Sequence, residues 1–222
     1  LTHPPMKLTP KITKAINTAA ILHDGQERKG DGLPYIVHPF SVALILMDYT
    51  EDEDVIVAGI LHDTIEDTED TDHKYTKEQM EEEFGEPVAS LVTDVTELPK
   101  TYSWQERKDH YLKHLETTSH ESKLICAADK LHNLQSMLDA FQKFGSEALE
   151  KFNAPADKKL WFYEECLKIF KKDEKMPAQI IQDVESVLKK LRREIAIIGM
   201  AEHPAKIIDY KDYDENARIE CP

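Results

Sequence analysis

The spacing of apolar residues and of helix caps constrains the fold of this chain more than any other feature. Across 222 residues there are only seven glycines, and apolar residues recur at intervals of three and four instead of at every second position. Thr9 precedes Pro10, and Thr76 and Ser103 each stand three residues before a Gln or Glu, which is the spacing of a capping box. The sequence therefore predicts an all-α fold.

Capping and stop signals also divide the chain into helices. Thr50 lies three residues before Glu53 and is the predicted cap of the third helix. Gly85 followed by Pro87 predicts the end of one helix and the start of the next. The predicted helices run over 9–23, 39–49, 50–62, 76–85, 103–117, 119–144, 157–171 and 177–200, with a further start at Pro87.

One domain with a short tail is expected. The domain should cover 9–200, and 201–222 is the predicted C-terminal tail, extended or disordered, because helical periodicity is lost there. No apolar run reaches the ~18–20 residues that a membrane-spanning helix needs. The first residues lack the cationic stretch and apolar core of a secretory signal. We therefore expect a cytoplasmic protein without a membrane partner.

The charge balance excludes one class of partner. The formal net charge is −15, from 28 basic and 43 acidic residues, whereas nucleic-acid binding needs a basic footprint. A small anionic substrate is compatible with this charge if a metal or a local basic patch offsets it. The three cysteines are far apart and form neither a disulfide framework nor a CxxC pair, so metal binding would depend on histidines and carboxylates.

The strongest local signal is the segment 62–67, His-Asp-Thr-Ile-Glu-Asp. On a helix, His62 and Glu66 would be four residues apart and Asp63 and Glu66 three apart, so an imidazole and up to three carboxylates would share one face. The apolar run 56–61 before it places this turn near a core. Buried together, these groups would be costly without a cation, so the segment predicts a metal site; a solvated acidic helix end is the alternative.

Other candidates are individually weaker. Asp129 lies in an apolar stretch and needs a partner if it is buried, but Lys130 is predicted to point about 100° away, which favours a helix-end contact or a metal. His38 stands at a helix start, where a lone histidine is usually a capping or surface residue. His23 closes the first helix on its apolar face, and we interpret it as a core histidine rather than a ligand.

Taken together, these residues resemble a known family. His38, His62-Asp63 and Asp129 reproduce the H…HD…D pattern of the HD phosphohydrolases, which are all-helical. The longer motifs His-x-Gly-Gln-x-Arg-Lys-Gly (23–30), Pro-Tyr-Ile-Val-His-Pro (34–39) and Ala-Asp-Lys-Leu-His-Asn (128–133) are similar to the hydrolase domain of RelA/SpoT-type enzymes. The resemblance covers 9–170 and implies a stand-alone small alarmone hydrolase, similar to the metazoan SpoT homologue.

The resemblance implies a role for each matching residue. It places one divalent ion, usually Mn²⁺, on four ligands, and Zn²⁺ or another divalent ion would also suit this mixed set of nitrogen and oxygen atoms. The implied metal ligands are His38, His62, Asp63 and Asp129. The implied catalytic pair is Glu66 and Asp67, and the implied substrate-binding residues are Arg28, Lys29, Lys130 and Asn133.

The implied reaction is removal of the 3′-pyrophosphate of guanosine tetra- or pentaphosphate, giving GDP or GTP. One departure concerns the residues after Asn133, which are Leu-Gln-Ser where many members have an Arg and a Thr. Another nucleotide phosphohydrolase, such as an NADPH phosphatase, and a non-catalytic nucleotide-binding module remain as alternatives. The wide apolar stripe of the last helix is compatible with a monomer or a homodimer.

Overall fold

The fold is an assembly of α-helices, as the sequence predicts. The computed structural model describes residues 8–28, 32–69, 71, 74–145, 147–150 and 155–202, and within these ranges it contains no β-strand, only an isolated bridge between Glu27 and Pro34. The helices are α1 (Pro10–Leu22), α2 (Val37–Met47), α3 (Glu53–Leu61), α4 (Thr64–Thr68), α5 (Lys77–Phe84), α6 (Glu86–Val95), α7 (Trp104–Leu115), α8 (His120–Phe144), α9 (Glu147–Glu150), α10 (Ala156–Lys172) and α11 (Ala178–Glu202).

Most of the predicted helix starts are confirmed. Thr9 caps α1, and Thr76 and Ser103 form complete capping boxes with residues three positions later. Gly85 ends α5 with φ of +92°, a left-handed conformation that glycine adopts without a steric penalty. Helix α9 was not predicted, and α11 runs two residues past the predicted end; 203–222, most of the predicted tail, lie outside the described residues.

Two expectations about α3 are wrong. The cap is Asp52, whose carboxylate accepts the backbone N–H of Asp54 at 2.9 Å, while the Thr50 hydroxyl oxygen accepts the N–H of Asp52. The helix also ends at Leu61 instead of continuing through the acidic segment. Side chains replace the missing helical hydrogen bonds: Nδ1 of His62 bonds the Gly59 carbonyl and the Thr64 hydroxyl donates to the Leu61 carbonyl.

Helix α8 is the central element of the core. It packs against α2, α3, α6, α10 and α11, and its middle section from Leu124 to Leu131 is buried on all sides. Helix α3 is also buried from Val55 to Leu61. Apolar contacts therefore fix the end of α3, which His62 and Asp63 follow, and the middle of α8, which carries Asp129.

A close helix crossing positions α3 against α2. A Cβ atom added at Gly59 would lie 2.3 Å from Cδ1 of Leu46, and Leu46 is fully buried. Only a residue without a side chain fits this crossing as it stands. The crossing brings the end of α3, where His62 follows, next to the start of α2, where His38 lies.

The crossing yields a double-mutant prediction. Gly59→Val should lower the free energy of unfolding by about 1–3 kcal/mol through overpacking, and Leu46→Ala by about 2–5 kcal/mol through a cavity. Because the two changes compensate in volume, the double variant should lose less than the sum, as measured by urea unfolding. Leu191→Ala in α11 serves as the control and should add to Gly59→Val; additive losses for Gly59 and Leu46 would contradict the account.

Candidate metal centre and active site

Three separate elements bring the predicted metal ligands together. His38 lies in the first turn of α2, His62 and Asp63 form the break between α3 and α4, and Asp129 lies in the middle of α8. Ligand atoms of His38, His62 and Asp129 lie within 4.8 Å of one another, and all three residues are buried. The Oδ2 atom of Asp63 lies 3.5 Å from Nε2 of His38 and 3.0 Å from Nε2 of His62.

The hydrogen bonding of His62 fits a metal ligand. Its Nδ1 lies 2.9 Å from the Gly59 carbonyl, which only accepts, so Nδ1 carries a proton and Nε2 faces the cluster. That Nε2 is buried without a hydrogen-bond partner of suitable geometry. The nearby carboxylates of Asp63 and Asp129 raise the pKa of His62 to about 9 against the opposing effect of burial. A divalent ion at Nε2 would replace this proton and satisfy the unpaired nitrogen.

His38 is oriented by a residue to which the sequence analysis gave no role. Its Nδ1 lies 2.7 Å from Nδ1 of His132, one helical turn beyond Asp129 on α8. Burial and the neighbouring His38 lower the pKa of His132 to about 4, so His132 is neutral and accepts the hydrogen bond. Nε2 of His38 then points at the carboxylates, 3.1 Å from Oδ1 of Asp129. His132 thus supports the ligand from behind.

Tyr35 orients Asp63, the fourth of the predicted ligands. Its hydroxyl donates to Oδ2 of Asp63 at 2.6 Å, and its ring packs on His23. His23 is buried, and its Nδ1 contacts Oε1 of Gln26, in line with its interpretation as a core histidine. Burial acts to raise the pKa of Asp63, but the charge of His62 and the neighbouring His38 hold it well below its usual range. Asp63 is therefore an ionised, preoriented oxygen donor.

Glu66 and Asp67 lie on the short helix α4, directly after the break. Burial and the charges of Glu97 and Asp63 raise the pKa of Glu66 to about 7, and burial with Asp63 raises that of Asp67 to about 6. The Oε2 atom of Glu66 accepts the backbone N–H of Glu97 at 3.3 Å, which aims it into the cavity described below. Oδ1 of Asp67 lies 3.9 Å from Nζ of Lys100. Glu66 is thus the better placed of the two to take up a proton.

The expectation that Lys130 points away from Asp129 is wrong. Its Nζ donates to Oδ2 of Asp129 at 2.6 Å, and the same ammonium lies 4.9 Å from the centre of the Tyr111 ring. The long side chain folds back along α8, where its ammonium contacts both the Asp129 carboxylate and the Tyr111 ring. The charge of Asp129 more than offsets burial and holds the pKa of Lys130 well above its usual range. Lys130 consequently neutralises Asp129, which is held ionised.

Of the other predicted substrate-binding residues, Asn133 contacts the same carboxylate and Arg28 contacts Asn133. Asn133 donates from Nδ2 to Oδ1 of Asp129 at 2.5 Å and accepts from Arg28 at 3.1 Å. The guanidinium of Arg28 lies over the Tyr35 ring, 5.9 Å from its centre. Lys29 lies outside the described residues. Arg28 and Asn133 are therefore adjacent, as a shared nucleotide contact requires.

A cavity of about 160 Å³ opens beside this cluster. Four carboxylates and three lysines line it: Asp63, Glu66, Glu97, Asp129, Lys108, Lys130 and Lys159. Trp104 on α7 and Phe162 on α10 add aromatic walls. The sequence analysis missed Glu97, Trp104, Lys108 and Phe162 because they follow Asp67 by 30 residues or more and match none of the motifs. Only the tertiary packing of α7 against α6 and α10 shows that they belong to the site.

Comparisons with known proteins agree with this geometry. The HD domain family matches residues 15–159. The zebrafish (Danio rerio) guanosine-3′,5′-bis(diphosphate) 3′-pyrophosphohydrolase MESH1 is 41% identical over 135 residues, which are 58% of this chain and 70% of that protein. The guanosine-3′,5′-bis(diphosphate) 3′-pyrophosphohydrolase of Aquifex aeolicus is 37% identical over 57% of this chain but only 18% of its own length.

Solved structures show the same fold. A metazoan ortholog of SpoT that hydrolyzes ppGpp superimposes with a TM-score of 0.66 and 27% identity, over 86% of this chain and 98% of that one. The crystal structure of lmo0812 from Listeria monocytogenes has a TM-score of 0.62 and 33% identity, over 70% of this chain and 99% of that one. No described helix is both long and apolar enough to cross a membrane. The region that matches the family covers more than half of the chain and contains the buried cluster of His38, His62 and Asp129. The chain therefore belongs to the HD domain family.

Proposed function

We propose that this chain is a metal-dependent hydrolase that removes the 3′-pyrophosphate of guanosine tetra- and pentaphosphate, releasing pyrophosphate with GDP or GTP. The observation that carries the proposal is the cluster of His38, His62, Asp63 and Asp129, whose two carboxylates line the same cavity as Glu66. A cluster of this kind beside a proton acceptor is suited to attack by water on a phosphate. The name of the zebrafish relative gives the same reaction.

The metal we propose is one Mn²⁺ ion on these four side chains. Two imidazole nitrogens and two carboxylate oxygens without a thiolate suit a divalent ion that prefers mixed nitrogen and oxygen ligands, and Zn²⁺ would also fit. Such an ion would draw negative charge from a phosphoryl oxygen and make the phosphorus easier to attack. The hydrogen bonds of His62 to Gly59 and of His38 to His132 leave both Nε2 atoms facing that position.

The catalytic base in this proposal is Glu66. Its carboxylate, held by the N–H of Glu97, takes the proton of the attacking water as the new P–O bond forms. The bond between phosphorus and the ribose O3′ breaks, and O3′ receives a proton as pyrophosphate leaves. Asp67, four residues past the proposed ligand Asp63 and with a raised pKa, shares proton transfer or assists the leaving group. We assign Arg28, Lys29 and Asn133 to the nucleoside side of the substrate.

In this proposal Lys130 does not contact the phosphate directly but acts on a metal ligand. Because its ammonium is already bound to Asp129 and buried, it balances the charge of that ligand and leaves its second oxygen for the ion. We keep the cytoplasm as the proposed location because Cys126 and Cys166 are free thiols, as is usual in a reducing compartment.

The direct test is a substrate panel. The chelated protein, with and without added Mn²⁺, is incubated with guanosine tetraphosphate, GTP and NADPH, and the products are separated by anion-exchange chromatography. We expect pyrophosphate and GDP from guanosine tetraphosphate, only with metal. Glu66→Gln should retain the metal and lower kcat by a factor of about 10² or more. Full activity of Glu66→Gln, or release of orthophosphate from NADPH instead, would contradict the proposal.

The electrostatics of Glu66 predict a separate effect on stability. A carboxyl whose folded pKa of about 7 exceeds its ordinary value of 4.5 stabilises the fold below pH 4.5, and this contribution is lost as the pH rises through 7. In chelated protein, Glu66→Gln should therefore raise the free energy of unfolding at pH 8 by about 1–3 kcal/mol and change it little at pH 5. Urea unfolding at both values measures this. Glu82→Gln, on the exposed face of α5, is the control, and equal effects of Glu66→Gln at the two pH values would be inconsistent with a raised pKa.

A further inference from the structure

We infer that Lys108, with Arg107 and Glu97 behind it, forms a binding subsite for a diphosphate group at the end of the cavity formed by α7 and α10. This inference rests on the proposed function, because it assigns part of the polyphosphate substrate to residues that no motif of the family resemblance includes. The ligand class is a diphosphate, either the 3′-pyrophosphoryl group that leaves or the 5′-diphosphate that stays on the nucleoside.

The first support is the charge of this group of three residues. Arg107 Nη1 lies 3.1 Å from Oε2 of Glu97, and the ammonium of Lys108 bonds the other oxygen of the same carboxylate. All three side chains are largely buried, with 10–17% of their surface exposed. Two cations share one anion, so the group carries a net positive charge in a molecule whose total charge is −15. An anion that approached this wall of the cavity would be attracted to it.

The second support is the orientation of Lys108. Its ammonium lies 4.3 Å from the centre of the Phe162 ring and 5.8 Å from that of the Trp104 ring, and Lys108, Phe162 and Trp104 all line the cavity. The aromatic rings hold the side chain in place through its cationic end. An ammonium has three N–H groups, and the carboxylate of Glu97 engages only part of this capacity. Lys108 is thus a preoriented donor on the cavity wall.

The third support is the position of this group relative to the reaction. Glu97 joins the two parts, because its side chain binds Lys108 while its backbone N–H binds Glu66. Phe162 joins them on the other side, since Lys130, the partner of Asp129, also lies against its ring at 5.5 Å. A phosphate held at the metal cluster would therefore have Lys108 on the same cavity wall as the catalytic carboxylate. A diphosphate brings a second phosphate group to this wall, which is available to Lys108 while the first is held at the metal cluster.

The chemistry of the cavity requires such a cation. Its four lining carboxylates repel a polyanion, and one of its three lysines, Lys130, is already neutralised by Asp129. A divalent ion would offset part of this charge at the metal cluster only. The outer phosphates of the substrate still need a positive partner, and charge-assisted hydrogen bonds from Lys108 meet that need.

The test measures binding of two simple probes without turnover. Inorganic pyrophosphate and GDP are titrated by calorimetry into the Mn²⁺-loaded full chain. We expect Lys108→Gln to weaken at least one of them by about 10- to 100-fold, the effect of losing a hydrogen bond to a charged group. A loss of affinity for pyrophosphate assigns the leaving group to the subsite, and a loss of affinity for GDP assigns the 5′-diphosphate to it. Lys108→Arg should restore most of the affinity.

Controls separate binding from folding and from the proposed reaction. Lys108→Met keeps an unbranched aliphatic side chain beside Phe162 and removes the charge. It should show the loss of affinity expected for Lys108→Gln, and it replaces that variant as the test if Lys108→Gln is poorly folded. Lys113→Gln, on the same helix but outside the lining of this cavity, should bind both probes as the wild type does. Wild-type affinity of folded Lys108→Met for both probes would overturn the inference. Because neither probe is turned over, this outcome is distinct from a failure to hydrolyse guanosine tetraphosphate.

Discussion

The partly buried Asp63 and the buried Asp129 lie close together, with the edges of two imidazole rings between them, and the rest of the structure depends on how that charge is balanced. Two carboxylates removed from water repel each other strongly unless cations or hydrogen-bond donors surround them. The chain supplies part of the compensation itself: Tyr35 donates to Asp63, and Lys130 and Asn133 donate to Asp129. The unpartnered Nε2 of His62 shows that this compensation is incomplete. The divalent ion that we propose would complete it.

The apolar core makes this arrangement possible by holding three unconnected segments at fixed distances. The crossing of α2 and α3 at Gly59 places His38 beside His62, and α8 supplies both Asp129 and the supporting His132. Within this ligand set the charges of His62 and Lys130 hold the pKa values of Asp63 and Asp129 low in spite of burial. For Glu66, burial and the negative charges of Glu97 and Asp63 raise the pKa to about 7 instead.

The sequence predicted the parts of the fold and site that are encoded locally. Helix caps such as Thr76 and Ser103 depend on three or four neighbouring residues, and the motif around His62 and Asp63 depends on six. Predictions failed where a side chain has a choice of partners. Lys130 was expected to point away from Asp129 because of its direction on the helix, but its flexible side chain reaches back to that carboxylate. Asp52 and Thr50 can both cap a helix N-terminus, and the structure uses Asp52. Trp104, Lys108 and Phe162 could not be found at all, because only tertiary folding brings α7 and α10 to the cavity.

The measurement that tests this account most directly is a titration of the chelated protein with Mn²⁺, with the free ion followed by electron paramagnetic resonance. The account predicts one bound ion per chain for the wild type and loss of that binding in His62→Ala, while His110→Ala, at an exposed position of α7, binds as the wild type does. A wild-type chain that bound no ion, or a His62→Ala variant that bound it with unchanged affinity, would contradict the claim that the buried cluster is a metal centre.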